Sequence, residues 1–117
     1  MFNNQPYQTF VNLLEELRNY TTTAESNAPE LQQQFLSLRE FYQQQILSLA
    51  SPEIDNQKLL GKINSYHTEI NKQLRLLEID MMFLRGARQN TTIQVRLQAI
   101  SARLHTLIGY CHAILEA

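Results

Sequence analysis

The three prolines of the chain, Pro6, Pro29 and Pro52, stand 23 residues apart, and no proline follows in the last 65 of its 117 residues. Each comes at or shortly after a residue able to cap a helix: Asn4, Asn27 and Ser51. Proline lacks the N–H that a first helical turn leaves unpaired, while Asn and Ser oxygens accept hydrogen bonds from the next free amides. The prolines therefore read as helix starts. After Pro52 only Gly61, Gly86 and Gly109 punctuate the chain, which predicts two short helices followed by two long ones.

Hydrophobic periodicity supports that division. About Pro6 to Thr22, the residues Tyr7, Phe10, Val11, Leu14 and Leu17 share one helical face. Thr21-Thr22-Thr23 ends this segment, because β-branched residues with competing hydroxyls continue a helix poorly. From Pro29 to Leu49 a second stripe runs through Leu31, Phe35, Leu38, Tyr42, Ile46 and Leu49. A third, from Pro52 to Arg85, holds Ile63, Tyr66, Ile70, Leu74, Leu77, Met81 and Leu84, with Asn56 and Gly61 as the places where it could break. Gly86 is the expected stop, after an arginine whose charge suits the C-terminal end of a helix dipole. The fourth begins near Asn90 or Thr91 and carries Ile93, Leu97, Ile100, Leu104, Leu107, Cys111 and Ile114 at heptad spacing.

Short connections and four amphipathic segments predict a single all-α domain over residues 1–117, an antiparallel up-down four-helix bundle with long third and fourth helices. A chain of this length buries roughly two-thirds of its unfolded surface and needs no staples. The lone Cys111 allows no intramolecular disulfide. No basic segment precedes an apolar stretch at the N-terminus, and the longest apolar run is Met81-Met82-Phe83-Leu84, so a soluble cytoplasmic protein without a membrane span is expected. The glutamine runs at 32–34 and 43–45 are interrupted by apolar residues at helical spacing and read as solvated helix faces.

Charge is divided along the chain. Residues 1–55 hold seven acids and two bases, whereas residues 56–117 hold four acids and eight bases. This division favours docking of an acidic first hairpin on a basic second one, and the net charge of −1 argues against nucleic acid.

Lengths suggest where the chain has surface to spare. At 1.5 Å per residue the second helix spans roughly 30 Å and the third about 45 Å. The third is therefore expected to outrun the first hairpin from near residue 74, through the turn at Gly86, into the fourth. In that stretch Leu76, Ile79, Met82 and Phe83 fall off the stripe made by Leu77, Met81 and Leu84. On the fourth helix Ala99, Ala102, Thr106, Gly109 and Ala113 form a second face of small residues, which either packs inside the bundle, lies in solvent or admits another helix closely. A homodimer burying Leu76, Ile79, Met82, Phe83, Ala99 and Ala102 is one expectation, and a groove for a different protein is its rival. Arg85, Arg88, Arg96 and Arg103 gather around the same turn, and their guanidinium forks suit a partner carrying carboxylates.

Catalytic and cofactor chemistry is not apparent. His105 and His112 share a face, and His112 with Glu116 has a spacing used by metal ligands, but a zinc site needs three or four donors. His67 joins them only if helix register brings it near. Cys111 falls in the apolar seam and reads as an inert thiol rather than a nucleophile. Glu15-Glu16 and Glu78/Asp80 do not fit the Glu-x-x-His pattern of diiron bundles, and no glycine-rich phosphate loop occurs. A non-enzymatic adaptor without cofactor is expected. The alternative is a ligand- or metal-binding bundle; a transcriptional regulator is weakened by charge and by the absence of a recognition-helix pattern.

Tyr7, Phe10, Leu13-Leu14 and Leu17 leading into Tyr20-Thr21-Thr22-Thr23, followed by Phe41-Tyr42-Gln43-Gln44-Gln45-Ile46, resemble the small cyanobacterial heterocyst frequency control proteins called PatD. The resemblance covers length and helical layout across the chain. It implies a cytoplasmic regulator in filamentous cyanobacteria that binds the tubulin-like division protein FtsZ, affects its assembly and so tunes heterocyst frequency. It supplies no motif of binding residues, so the candidate residues above come from the physical reading alone.

Overall fold

The computed structural model describes residues 4–23, 28–47 and 57–116. Helix α1 spans Gln5–Thr21, α2 spans Ala28–Phe41 and continues through one π turn at Tyr42–Ile46, α3 spans Gln57–Gly86 and α4 spans Asn90–Leu115. The described residues are all-α, with two shorter helices followed by two long ones. They form a rod of 52 × 20 × 19 Å.

Each helix packs against two neighbours, in the ring order α1, α2, α3, α4 and back to α1. Cross-contacts set their directions. Arg39 meets Glu78 and Arg85 meets Gln32, so α2 and α3 are antiparallel. Tyr66 packs near Tyr110 and Arg96 lies over Phe83, which makes α3 and α4 antiparallel as well. The result is an up-down-up-down bundle.

Local chemistry agrees with the helix starts only in part. Pro6 lies in the first turn of α1, and the Gln8 N–H donates to the Asn4 carbonyl at 3.1 Å, but the Asn4 side chain makes no capping bond. Pro29 is the second residue of α2. Asn27, Leu49, Ser51, Pro52 and Asn56 lie outside the described residues. At the end of α1 the hydroxyls of Thr21, Thr22 and Thr23 donate to the carbonyls of Arg18, Asn19 and Tyr20, giving the last turn a set of side-chain donors. Helix α3 passes through Gly61 without a break. Its C-terminal end at Gly86 is closed by Ala87 N–H donating to Leu84 O at 3.1 Å, and no glycine enters the left-handed region.

The apolar stripes meet in one core of Tyr7, Phe10, Leu14, Leu31, Phe35, Tyr42, Ile63, Leu77, Ile100, Leu107 and their neighbours. Complete burial of such a side chain is worth about 1.5–3 kcal/mol. Two positions depart from expectation. Tyr66 is half-buried and packs toward Tyr110, while His67, one residue on, occupies the core slot between Ile63 and Ile70. Ile93, near the open start of α4, is only half-buried.

The expected overhang is also relocated. Arg85 Nη1 donates to Gln32 at 3.0 Å, and Gln32 lies near the start of α2. The first hairpin therefore reaches the C-terminal end of α3, and Leu74, Leu77, Met81 and Leu84 are buried. It is α1 that stops short. Thr21 and Thr22 line a groove with Gln94, Leu97 and Gln98, so the first residues of α4 run beyond the end of α1.

Candidate protein-docking face

Helix α3 presents two faces near its C-terminal end. Leu77, Met81 and Leu84 point into the core, whereas Ile79, Met82 and Phe83 are 45, 57 and 54% exposed. Val95, 60% exposed on α4, and Leu36, 51% exposed on α2, add apolar surface on the helices that flank it. An exposed apolar group of this size, concentrated at one end of a small bundle, marks a surface suited to being covered.

The seam between α3 and α4 can be traced from its bonds. Arg103 Nε donates to the buried carboxylate of Asp80, and Arg103 Nη1 donates to Gln73 Oε1 at 3.3 Å. The Arg96 guanidinium lies 4.6 Å from the Phe83 ring centroid. Positions 73, 76, 80 and 83 form one stripe of α3, and 96, 99 and 103 form the facing stripe of α4. Leu76 and Ala99 thus lie along this seam, and both are half-buried. Ala102 is exposed one step further out, on the small-residue side of α4.

That side does not pack inside the bundle. Ala102 and Gly109 are exposed, Ala99, Thr106 and Ala113 are half-buried, and a Cβ built on Gly109 meets nothing within 4 Å. The outward face of α4 is smooth, and the stripe Val95, Ala99, Ala102, Thr106, Gly109 and Ala113 carries no charge.

The four arginines singled out by sequence have different duties. Arg103 is engaged inside the seam by Asp80 and Gln73, so it positions α3 against α4. Arg85 is exposed and donates to Gln32. Arg96 is half-buried over Phe83, and Arg88, in the turn between α3 and α4, is exposed and makes no hydrogen bond or ion pair among the described residues. Lys72 and Arg75, exposed on α3, make no hydrogen bond or ion pair among the described residues, and Arg75 lines the groove between α2 and α3 with Arg39 and Tyr42.

The opposite end of the rod is built differently. His67 is gripped at both ring nitrogens, with the Tyr7 hydroxyl 2.7 Å from Nε2 and the Tyr42 hydroxyl 2.6 Å from Nδ1. A neutral imidazole has one donor and one acceptor nitrogen, so one tyrosine donates to the ring and the other accepts from it. This cluster ties α3 to α1 across the diagonal of the bundle and to α2 at its π turn. Burial pushes the His67 pKa down and favours the neutral ring. It pushes the Tyr7 hydroxyl up to about 12, with a smaller contribution from Cys111, and raises Tyr42 further. The buried Cys111 thiol is itself raised to about 12, unsuited to nucleophilic work at neutral pH.

Among the described residues no three His, Cys, Asp or Glu side chains are grouped to hold a metal ion. His105 and His112 are exposed and line an open groove with Glu15 and Arg18 of α1, whereas both ring nitrogens of His67 are already taken by Tyr7 and Tyr42. No helix of the described residues is long and apolar enough to cross a membrane. No family model, curated protein or solved structure matches the chain.

Proposed function

We propose that this protein is a non-enzymatic, cytoplasmic helical regulator that docks a protein partner on the α3–α4 end of its bundle. The observation that carries this reading is the exposed group Ile79, Met82, Phe83 and Val95 beside the cationic Arg88 and Arg96. Apolar anchors supply desolvation, and the cations at the rim steer and orient an acidic partner. By its resemblance to PatD proteins, the partner is FtsZ, and binding modulates its assembly and hence heterocyst frequency. Purified FtsZ is expected to bind the wild-type chain and to lose affinity for the double variant Arg88→Glu/Arg96→Glu while helical circular dichroism is retained. Undiminished binding removes the arginines from the account, and no binding by the wild type removes FtsZ.

A second reading, in which two copies cover this face through Leu76, Ile79, Met82, Phe83, Ala99 and Ala102, is favoured by the smooth outer side of α4. The open space around Gly109 would let another helix approach closely. Light scattering separates the two, since a strictly monomeric mass at micromolar concentrations excludes the homodimer.

A further inference from the structure

The groove between α2 and α3, about 370 Å³ in volume, gathers cationic and amide donors from both helices. Asn71 and Arg75 stand four residues apart on α3, and Arg39 and Gln43 stand four apart where α2 passes into its π turn. Each pair occupies one helical stripe, and the contacts Arg39–Glu78 and Arg85–Gln32 set the antiparallel register in which the two stripes face each other. Tyr42 and Leu74, both buried, form the floor.

Charge in this groove is incompletely matched. Arg39 Nη1 donates to Glu78 at 2.9 Å, which uses one of the five N–H groups of a guanidinium. Arg75 makes no hydrogen bond or ion pair among the described residues, and no carboxylate is among the described residues that line the groove. Thr68, at the rim, spends its hydroxyl proton on the Asn64 carbonyl. The available donors are therefore the two guanidiniums and the amides of Gln43 and Asn71. The π turn is a second feature of the same wall: such turns are rare and recur at functional sites, and this one carries Gln43 into the groove.

The geometry points to the α2–α3 groove as a binding site for a phosphate dianion, free or esterified on a small molecule. Guanidiniums from two facing helices, with two amides between them, offer donors to three terminal oxygens, whereas the two oxygens of a carboxylate are met by a single arginine fork. The volume falls at the small end of the range for small-molecule pockets, which suits a phosphate whose compact substituent lies on Tyr42 and Leu74. This site shares no residue with the proposed docking face.

NMR of the full chain, with the arginine Nε–H signals assigned, tests this by titration of inorganic phosphate, phenyl phosphate and acetate at constant ionic strength and about pH 8, where phosphate is a dianion. Saturable shifts at Arg39 and Arg75 are expected with both phosphates, and acetate is expected to bind about tenfold more weakly or less. Tighter binding of phenyl phosphate supports the site with an ester as its ligand, and equal or weaker binding supports it with the free anion. Arg75→Gln is expected to weaken phosphate binding about tenfold with circular dichroism unchanged. Lys62→Gln, also exposed on α3, should titrate like wild type. The absence of saturable shifts with either phosphate, acetate binding as tightly as phosphate, or Arg75→Gln titrating like wild type overturns the inference.

Discussion

The two ends of the rod use similar side chains to opposite effect. At the end where α1 starts and α4 finishes, aromatic rings from α1 and from the π turn after α2 enclose His67 of α3: Phe10 packs 5.3 Å from Tyr42, and both tyrosine hydroxyls reach the imidazole. At the other end α1 stops short of the first residues of α4, and Ile79, Phe83 and Val95 stay in solvent. The difference lies in which way the side chains face: Tyr7 and Tyr42 turn inward onto the imidazole, whereas Ile79, Phe83 and Val95 lie on the outward sides of α3 and α4.

Substitutions at the two ends should therefore separate stability from binding. The largest loss is expected from Phe10→Ala in the closed end, about 3–5 kcal/mol by urea unfolding, because the cavity lies in a region with no slack. Tyr42→Phe removes one partner of a buried ring nitrogen while keeping the ring volume. Its expected cost is about 1–3 kcal/mol. A loss as small as that of a surface substitution would show that the His67 contacts contribute little.

Acid and alkali probe the same cluster without mutation. Burial lowers the His67 pKa from its ordinary 6.5, so the unfolded chain binds the proton first. Stability is complete above about pH 6.5 and falls as pH drops from there toward the folded value. The raised tyrosines act in the other direction. Unfolded Tyr7 loses its proton near 10.0 and the folded one near 12, so stability declines as pH rises through that interval. In His67→Gln the acid-side slope between pH 6.5 and 5 is expected to shrink, as urea midpoints across pH would report; an unchanged slope assigns it elsewhere.

Much of this architecture is visible in the residue order. The stripe of α1 and the heptad seam of α4 from Leu97 to Ile114 are buried as their spacing predicts. Periodicity assigns a face, and burial follows when a neighbour covers it. The His67 cluster was not legible because its partners lie 60 and 25 residues away on other helices. A polar residue in step with Ile63 and Ile70 was the only sign. Arg103 looked free for a partner because a single chain does not reveal that Asp80 faces it. The overhang was misplaced because helix lengths alone do not fix the offset between helices. The π turn at Tyr42–Ile46 left no mark in the periodicity, since Tyr42 and Ile46 keep a four-residue step.

Smaller effects sharpen the contrast from the open side. Gly61→Ala is expected to stabilise by about 0.5–1 kcal/mol, because an added Cβ there meets nothing within 4 Å. Phe83→Ser should leave thermal stability within about 0.5 kcal/mol of wild type, in keeping with its exposed position. Binding of FtsZ, the proposed partner, should nevertheless fall. A large stability loss at Phe83 would mean that this end is closed within the chain itself.

Isoleucine methyl groups allow the two ends to be watched together. Ile79 is 45% exposed on the proposed docking face, while Ile46 and Ile70 are buried near the His67 cluster. With carbon-labelled isoleucine, titration of FtsZ followed by methyl NMR should shift Ile79 and leave Ile46 and Ile70 in place. Saturable binding with Ile79 unmoved, or with the buried pair moving instead, would contradict docking at the α3–α4 end.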